Sequence, residues 1–371
     1  MSQPTFDYHA GTPWVLNDEM ETVLAAAIER EPVGRASDLV ADEEVRQLRS
    51  SEAYRERVRA AYDDAGVNLS SVTLLSSDRS LSYAEQVQAD LARWTAKFDA
   101  VDWLTKVTSP AQARRVAADD GVGIVLNTQN LGKAIEGDVD EVERLYNQGV
   151  RIMQLTYNRQ NEVGTGCTDR SDGGLSNHGL EVVDRMNDLG AVVDLSHCGR
   201  ETTIDALEHS DAPVAVTHSC CQAVYDHDRG KSDAELEALR DADGYMGIVA
   251  VPFFLTDESS PSFDVFFEHL EHAVEVLGPE RVGVGSDFSS IDRGYPTALK
   301  EGTMELLKEV GFREEHGVEL GAGFGAMERY QDWPVVREGL EERYDEATVR
   351  KILGENFLRF WERVVDAADA G

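Results

Sequence analysis

Eight short apolar, β-branched runs recur along the chain, at 5–9, 71–76, 122–127, 151–156, 191–195, 213–217, 246–251 and 281–285. Runs such as AVVDL and VGVG lack in/out alternation, as expected of parallel strands covered on both faces. The segments between them carry a helical period. Leu180, Val183, Met186 and Leu189 form one stripe that ends at Gly190, a natural residue just past a helix end. Ser232 and Glu235 have capping-box spacing ahead of Leu236 and Leu239. Phe263, Phe266, Phe267, Leu270 and Val274 form another stripe, stopped by Gly278-Pro279. Strands alternating with helices eight times predict an α/β fold, a (β/α)8 TIM-type barrel, with a doubly wound sheet as the alternative. No composition break or linker divides the chain, so residues 1–371 are expected to form one barrel domain with loop insertions on the carboxyl-end face. The Gly-rich stretch HGVELGAGFGAMERYQDWP, 316–334, is expected to be a loop or flap on that same face.

Charge narrows the functions open to such a fold. The 70 acidic residues outnumber the 35 basic ones, which leaves a net charge of −35. Nucleic-acid binding and attachment to an anionic membrane both need a basic patch, and none is present. The 42% hydrophobic content still supplies a core, so the acidity is a surface property and not a sign of disorder. With only seven Lys among the 35 basic residues, the composition resembles that of haloarchaeal cytoplasmic proteins, whose self-repulsion is screened by molar salt. The amino terminus, MSQPTFDYHAGTPW, lacks the basic and apolar regions of a signal peptide, and no apolar run is long enough to span a membrane. Four cysteines, two of them adjacent, fit reduced thiols in a cytoplasm.

In a barrel the carboxyl ends of the strands face the active site. Here they read His9 after FDY, Gln129 after LNT, Tyr157 after QLT, His197 after DLS, His218 after AVT and Asp287 after VGS. Three imidazoles and a carboxylate projected from separate strands onto one rim match what zinc requires. A metal site is therefore expected from the residues alone.

The segments GVRIMQLTYN, GLSNHGLEVVDRMNDLGAVVDLSHCG, APVAVTHS, DHDR, GVGSDF and KILGENFLRFW together resemble the renal (membrane) dipeptidase family, peptidase family M19, of the amidohydrolase superfamily. The resemblance implies a (β/α)8 barrel holding two bridged zinc ions and a hydroxide that attacks a dipeptide amide. It places His197 and His218 as zinc ligands and Asp287 as the catalytic acid that holds the nucleophilic water and shuttles its proton. Arg229 falls where the family has the arginine that receives the substrate carboxylate, a task suited to a bidentate guanidinium. A solvated loop arginine is the other reading of Arg229. Tyr157 and Asn158 are placed with it as substrate-binding residues.

Three departures from the family pattern follow. The strand-one His-x-Asp pair is His9 followed by Gly11, the bridging Glu is replaced by Gln129, and a family His is replaced by Tyr157. A neutral carboxamide does not balance two dications, and Gly11 offers no ligand atom. One zinc is therefore expected instead of two, held by His197 and His218 with Asp287, Gln129 or His9 as further ligands. Glu136 lies too far beyond its strand to substitute and is expected to face solvent. Cys198 is read as a packed thiol, His227 as loop scaffolding, and His178, His209, His269, His272 and His316 as solvated. The expected function is hydrolysis of a small amide, with a dipeptide as default substrate. The alternatives are a mononuclear enzyme acting on a non-peptide amide, ester or cyclic substrate, and a barrel that only binds its ligand. A homodimer is implied by the resemblance alone.

Overall fold

The structure is a computed structural model, and it describes residues 3–8, 15–288, 297–320 and 323–370. His9 and Gly11 lie outside the described residues, as do positions 289–296.

Eight parallel strands follow one another around the barrel in chain order: β1 (Phe6–Asp7), β2 (Leu69–Thr73), β3 (Val122–Thr128), β4 (Val150–Gln154), β5 (Val192–Asp194), β6 (Ala215–Cys221), β7 (Tyr245–Ile248) and β8 (Val282–Val284). All eight expected runs are strands, with ends displaced by up to four residues. Two further short strands lie off this path, Leu104–Lys106 beside β3 and Gly230–Lys231 beside β6. Among the described residues no ladder joins β8 to β1, and the seam is closed by the Asp287 amide on the Tyr8 carbonyl (3.3 Å) and by side chains. The buried Asp7 carboxylate accepts hydrogen bonds from the Ser286 amide (2.8 Å), the Ser286 hydroxyl (2.7 Å) and Trp333 Nε1 (3.1 Å). Burial pushes Asp7 up to about 6, against the pull of its bonds to Ser286 and Trp333.

The helices end where their sequences say they should. Asn177–Leu189 stops at Gly190, which has a left-handed φ of 69°. Glu235 reaches back to the Ser232 amide (2.9 Å) at the start of Asp233–Asp241. The phenylalanine stripe lies on Asp264–Leu277. Three helices that the pattern reading did not single out, Asp18–Ile28, Val33–Ser50 and Glu52–Ala65, fill the first crossover. Of the stretch 316–334, Phe324, Met327, Tyr330 and Trp333 are buried, and Trp333 closes the β1–β8 seam on Asp7, so this part of the loop is packed down and not a flap. Among the described residues no helix is long and apolar enough to cross a membrane.

Strand residues alternate between two cores. Ile124, Met153, Val193, Val216 and Met246 pack outward under the helices. Phe6, Val125, Ile152, Val192, Ala215 and Tyr245 point inward and meet Phe357, Phe360 and Trp361 of the last helix, Asn356–Ala370. Two residues further along five of these six strands the same inward face turns polar, with Tyr8, Asn127, Gln154, Asp194 and Thr217, all buried. The barrel is thus filled by an apolar plug at one end and a layer of hydrogen-bonding groups beneath the carboxyl rim.

Candidate active site

A register irregularity in β6 places the second histidine. Pairing with β7 shifts between Val216 and Ser219, so Thr217 and His218 occupy an extra position in the strand. Such a bulge re-aims side chains. The main chain is crowded here, because a Cβ on Gly247 or Gly285 would stand 2.1 or 2.0 Å from the Thr217 carbonyl oxygen. His218 and His197 are both buried, and their Nε2 atoms are 3.0 Å apart.

Their protonation follows from their other partners. Asp194, fully buried at the end of β5, accepts from the Ser196 amide (3.1 Å) and hydroxyl (2.6 Å), the Thr217 amide (3.1 Å) and hydroxyl (2.6 Å), and the Tyr8 hydroxyl (3.2 Å). Burial pushes its carboxyl up, and the bonds from Ser196 and Thr217 pull it back. With its only proton donated to Asp194, the Thr217 oxygen accepts from His218 Nδ1 at 2.9 Å. Asn158 Oδ1 lies 2.6 Å from His197 Nδ1 and also accepts from the Cys167 thiol at 3.5 Å. With the hydrogen of each imidazole on Nδ1, facing these oxygens, both Nε2 lone pairs are directed into one gap. The Gln129 carboxamide nitrogen borders the gap, 3.4 Å from His218 Nε2. Each ring is also covered on one face by a tyrosine: Tyr8 over His218 (5.0 Å, 14°) and Tyr157 over His197 (4.1 Å, 24°).

Two buried imidazoles with their Nε2 atoms 3.0 Å apart, each held through its Nδ1, are a donor pair that fits a divalent ion. Among the described residues, no group of three His, Cys, Asp or Glu side chains converges to hold one. The pair supplies two ligands, Gln129 borders it, and His9 is outside the described residues. Asp287 is half-buried just beyond β8, with a left-handed φ of 50° and its amide on the Tyr8 carbonyl (3.3 Å). Asn130 and Asn158 share that unusual backbone region at φ 58° and 57°. Three strand ends on this rim thus hold conformations that cost about 1–3 kcal/mol each, a feature that clusters at functional sites.

Arg229 is only 1% exposed, which removes the reading of a solvated loop arginine. Its Nη1 donates to the Ser196 carbonyl and its Nη2 to the His218 carbonyl (2.9 Å), so it ties together the two histidine-bearing strand ends. The guanidinium lies 5.2 Å over the Phe254 ring, and its Nε is buried without a partner. No carboxylate among the described residues pairs with it. Tyr157 borders the same space, and burial raises its hydroxyl above the ordinary value, so it remains a hydrogen-bond donor at neutral pH.

His227 scaffolds this loop as expected, its Nδ1 accepting the Arg229 amide (3.0 Å). Cys198 is packed, taking a bond from the Thr156 hydroxyl (3.3 Å), and Glu136 is exposed. Two histidines expected in solvent are buried. His269 accepts the Cys221 amide (3.0 Å) and lies 3.0 Å from the Leu255 carbonyl, while His316 meets Asp228 at 3.1 Å. The pattern reading passed over Asp194, Thr217, Ser196 and Tyr8. The available signal was adjacency, since three of the four lie within three residues of a rim histidine in DLSH and THS and Tyr8 precedes His9.

The eight-strand barrel with a histidine pair on its carboxyl rim defines an amidohydrolase-like protein. Within that class, the membrane dipeptidase (peptidase family M19) model matches residues 1–319, and the chain belongs to this family. It is 34% identical over 198 residues to "Uncharacterized dipeptidase C965.12" of Schizosaccharomyces pombe, covering 50% of this chain and 47% of that protein. It is 36% identical over 154 residues to "Dipeptidase verJ" of Clonostachys rogersoniana, covering 40% and 39%. The matched region thus spans less than half the length of these curated relatives. Among solved structures, an amidohydrolase from Pseudomonas aeruginosa superposes with a TM-score of 0.74 at 28% identity over 83% of this chain and 92% of that one. A metallo peptidase from Rhodobacter sphaeroides, liganded with a phosphinate mimic of the dipeptide L-Ala-D-Ala, shares the fold at TM-score 0.70 and 19% identity, over 98% and 100%.

Proposed function

We propose that the protein is a metal-dependent hydrolase of a small amide, with a dipeptide as default substrate, working with one divalent ion of the zinc type. The observation that carries this reading is the pair of His197 and His218 lone pairs directed at one gap, 3.0 Å apart. Gln129 and Gly11, standing where the family's bridging Glu and strand-one Asp fall, support one ion over two. When bound, such an ion polarises the scissile carbonyl and lowers the pKa of a water molecule.

The chain's own groups account for the rest. Arg229, with a buried and unpartnered Nε, takes the substrate carboxylate, and the surrounding protein strengthens that charge-assisted contact. Tyr157 donates a hydrogen bond from its hydroxyl to the substrate and keeps its proton. Asp287 removes a proton from the attacking water and delivers it to the departing nitrogen as the carbon–nitrogen bond breaks, leaving an acid and an amine. Family membership and the likeness to dipeptidases support the dipeptide. One observation favours a second reading, a non-peptide amide or ester: Gln129 turns its amide nitrogen, not a carboxylate, toward His218.

Metal analysis after expression with added zinc, together with a dipeptide panel assayed in molar KCl, tests the proposal. About one equivalent of metal, and turnover abolished by Asp287→Asn, are the expected results. Less than about one-tenth equivalent of zinc, manganese or iron would refute it. A metal-replete protein inert on every dipeptide moves the substrate to the second reading.

A further inference from the structure

We propose that Asp194 and Thr217 are positioning residues that set the tautomer of His218 and thereby the zinc affinity of the site. The inference rests on the metal-dependent reading above and goes beyond it, because neither residue touches the gap between the histidines.

Thr217 has one hydroxyl hydrogen, and of its two oxygen neighbours, Asp194 at 2.6 Å and the Ser196 hydroxyl at 3.0 Å, the shorter contact with the carboxyl takes it. What the oxygen then offers His218 Nδ1, at 2.9 Å, is a lone pair. The Asp194 charge thus reaches the imidazole through an intervening hydroxyl, in place of the direct carboxylate contact many metal-binding histidines use. The same carboxylate holds the Ser196 hydroxyl at 2.6 Å, and that oxygen accepts the His218 amide at 3.0 Å. Tyr8, whose ring covers His218, is anchored to Asp194 as well. One buried carboxyl group therefore holds the ring's Nδ1 partner, its main chain and the tyrosine over its face.

If the relay is cut, the hydrogen on Nδ1 loses its acceptor in a buried setting. The ring then gains by moving that hydrogen to Nε2, where it blocks the lone pair directed at His197. Thr217→Val is nearly isosteric and cuts the relay, while Thr217→Ser preserves it. Asp194→Asn replaces the anion by a group that offers its own N–H.

The test uses full-length protein labelled with 15N at histidine. Long-range 1H–15N spectra of the metal-free chain separate Nδ1–H from Nε2–H rings, and His218→Gln assigns the signal. Wild type and Thr217→Ser are expected to show His218 as Nδ1–H, and Thr217→Val to show a loss of that form. In competition with a chromophoric zinc chelator, Thr217→Val and Asp194→Asn are expected to bind zinc ~10–100-fold more weakly, with Thr217→Ser close to wild type. An unchanged His218 tautomer with unchanged zinc affinity in Thr217→Val overturns the proposal. If Asp194→Asn does not fold, the two Thr217 variants decide. A wild-type chain that binds no zinc defeats the functional reading, while the tautomer spectra still decide this one.

Discussion

His269 is the group whose removal changes acid stability in the most calculable way. It lies on Asp264–Leu277, fully buried, with Nδ1 accepting the Cys221 amide and Nε2 beside the Leu255 carbonyl. Burial lowers it from the ordinary 6.5 to about 4. The sign follows from linkage. At high pH the ring is neutral in both folded and unfolded chains and adds no pH dependence. As the pH falls through 6.5 the unfolded chain takes up a proton and the folded chain does not, so stability falls. The loss grows until the pH reaches about 4 and then levels off. Near pH 5 it amounts to about 2 kcal/mol, from RT times the logarithm of the ratio of the two binding polynomials. His269→Gln removes the titrating ring and keeps a polar side chain. Urea unfolding of both chains at fixed salt, from about pH 8 down to pH 5, gives two stability profiles whose difference cancels all other titrating groups. The variant is expected to be less stable near pH 8, by about 1–3 kcal/mol for the unpaired Cys221 amide. That deficit should shrink by about 2 kcal/mol near pH 5. Parallel profiles would refute the assignment of His269 as a buried neutral imidazole.

Arg229→Met keeps the bulk over Phe254 and removes the charge. It is expected to lower kcat/KM for a dipeptide by about 2–3 kcal/mol, or 30–150-fold, and to have little effect on a substrate whose carboxylate is amidated. An equal loss on both substrates would reassign Arg229 to tying the strand ends alone. Saturating zinc at about 100 times its Kd is expected to stabilise the fold by about 2.7 kcal/mol. Calorimetry would show this as a rise in Tm, and His197→Ala should abolish the rise. Gly285→Ala forces a Cβ to 2.0 Å from the Thr217 carbonyl. A cost of about 1–3 kcal/mol is expected, measured by urea unfolding, together with weaker zinc binding because the bulge shifts; an unaltered Tm would show that β6 yields freely there.

Much of the architecture was legible in the chain. Strands buried on both faces carry uninterrupted β-branched runs, and VVD and VGV stand where 191–195 and 281–285 predicted strands. Helix ends at Gly190 and Ser232 depend on contacts a few residues apart, which spacing reveals. The errors share one cause, that exposure is set by distant residues. His269 was expected in solvent as a histidine on a helical stretch, yet the helix turns it toward Cys221, 48 positions away. The 316–334 stretch reads as a Gly-rich loop or flap, but Trp333 is held by Asp7 across 326 positions.

By itself, the sequence determined the strand and helix order, the acidic exterior, the family, and which histidines stand at strand ends, since these follow from local periodicity and residue chemistry. The direction of each imidazole's lone pair was decided only in three dimensions. It depends on the β6 bulge that turns Thr217 and His218 inward, on Asp194 drawing the Thr217 proton 23 positions away, and on Asn158 meeting His197 from another strand. Burial of Arg229 was decided in the same way, by the carbonyls of two separate strand ends. A hydrogen-bond donor is assigned by what surrounds it, and in this barrel the surroundings come from seams and bulges that no local pattern encodes.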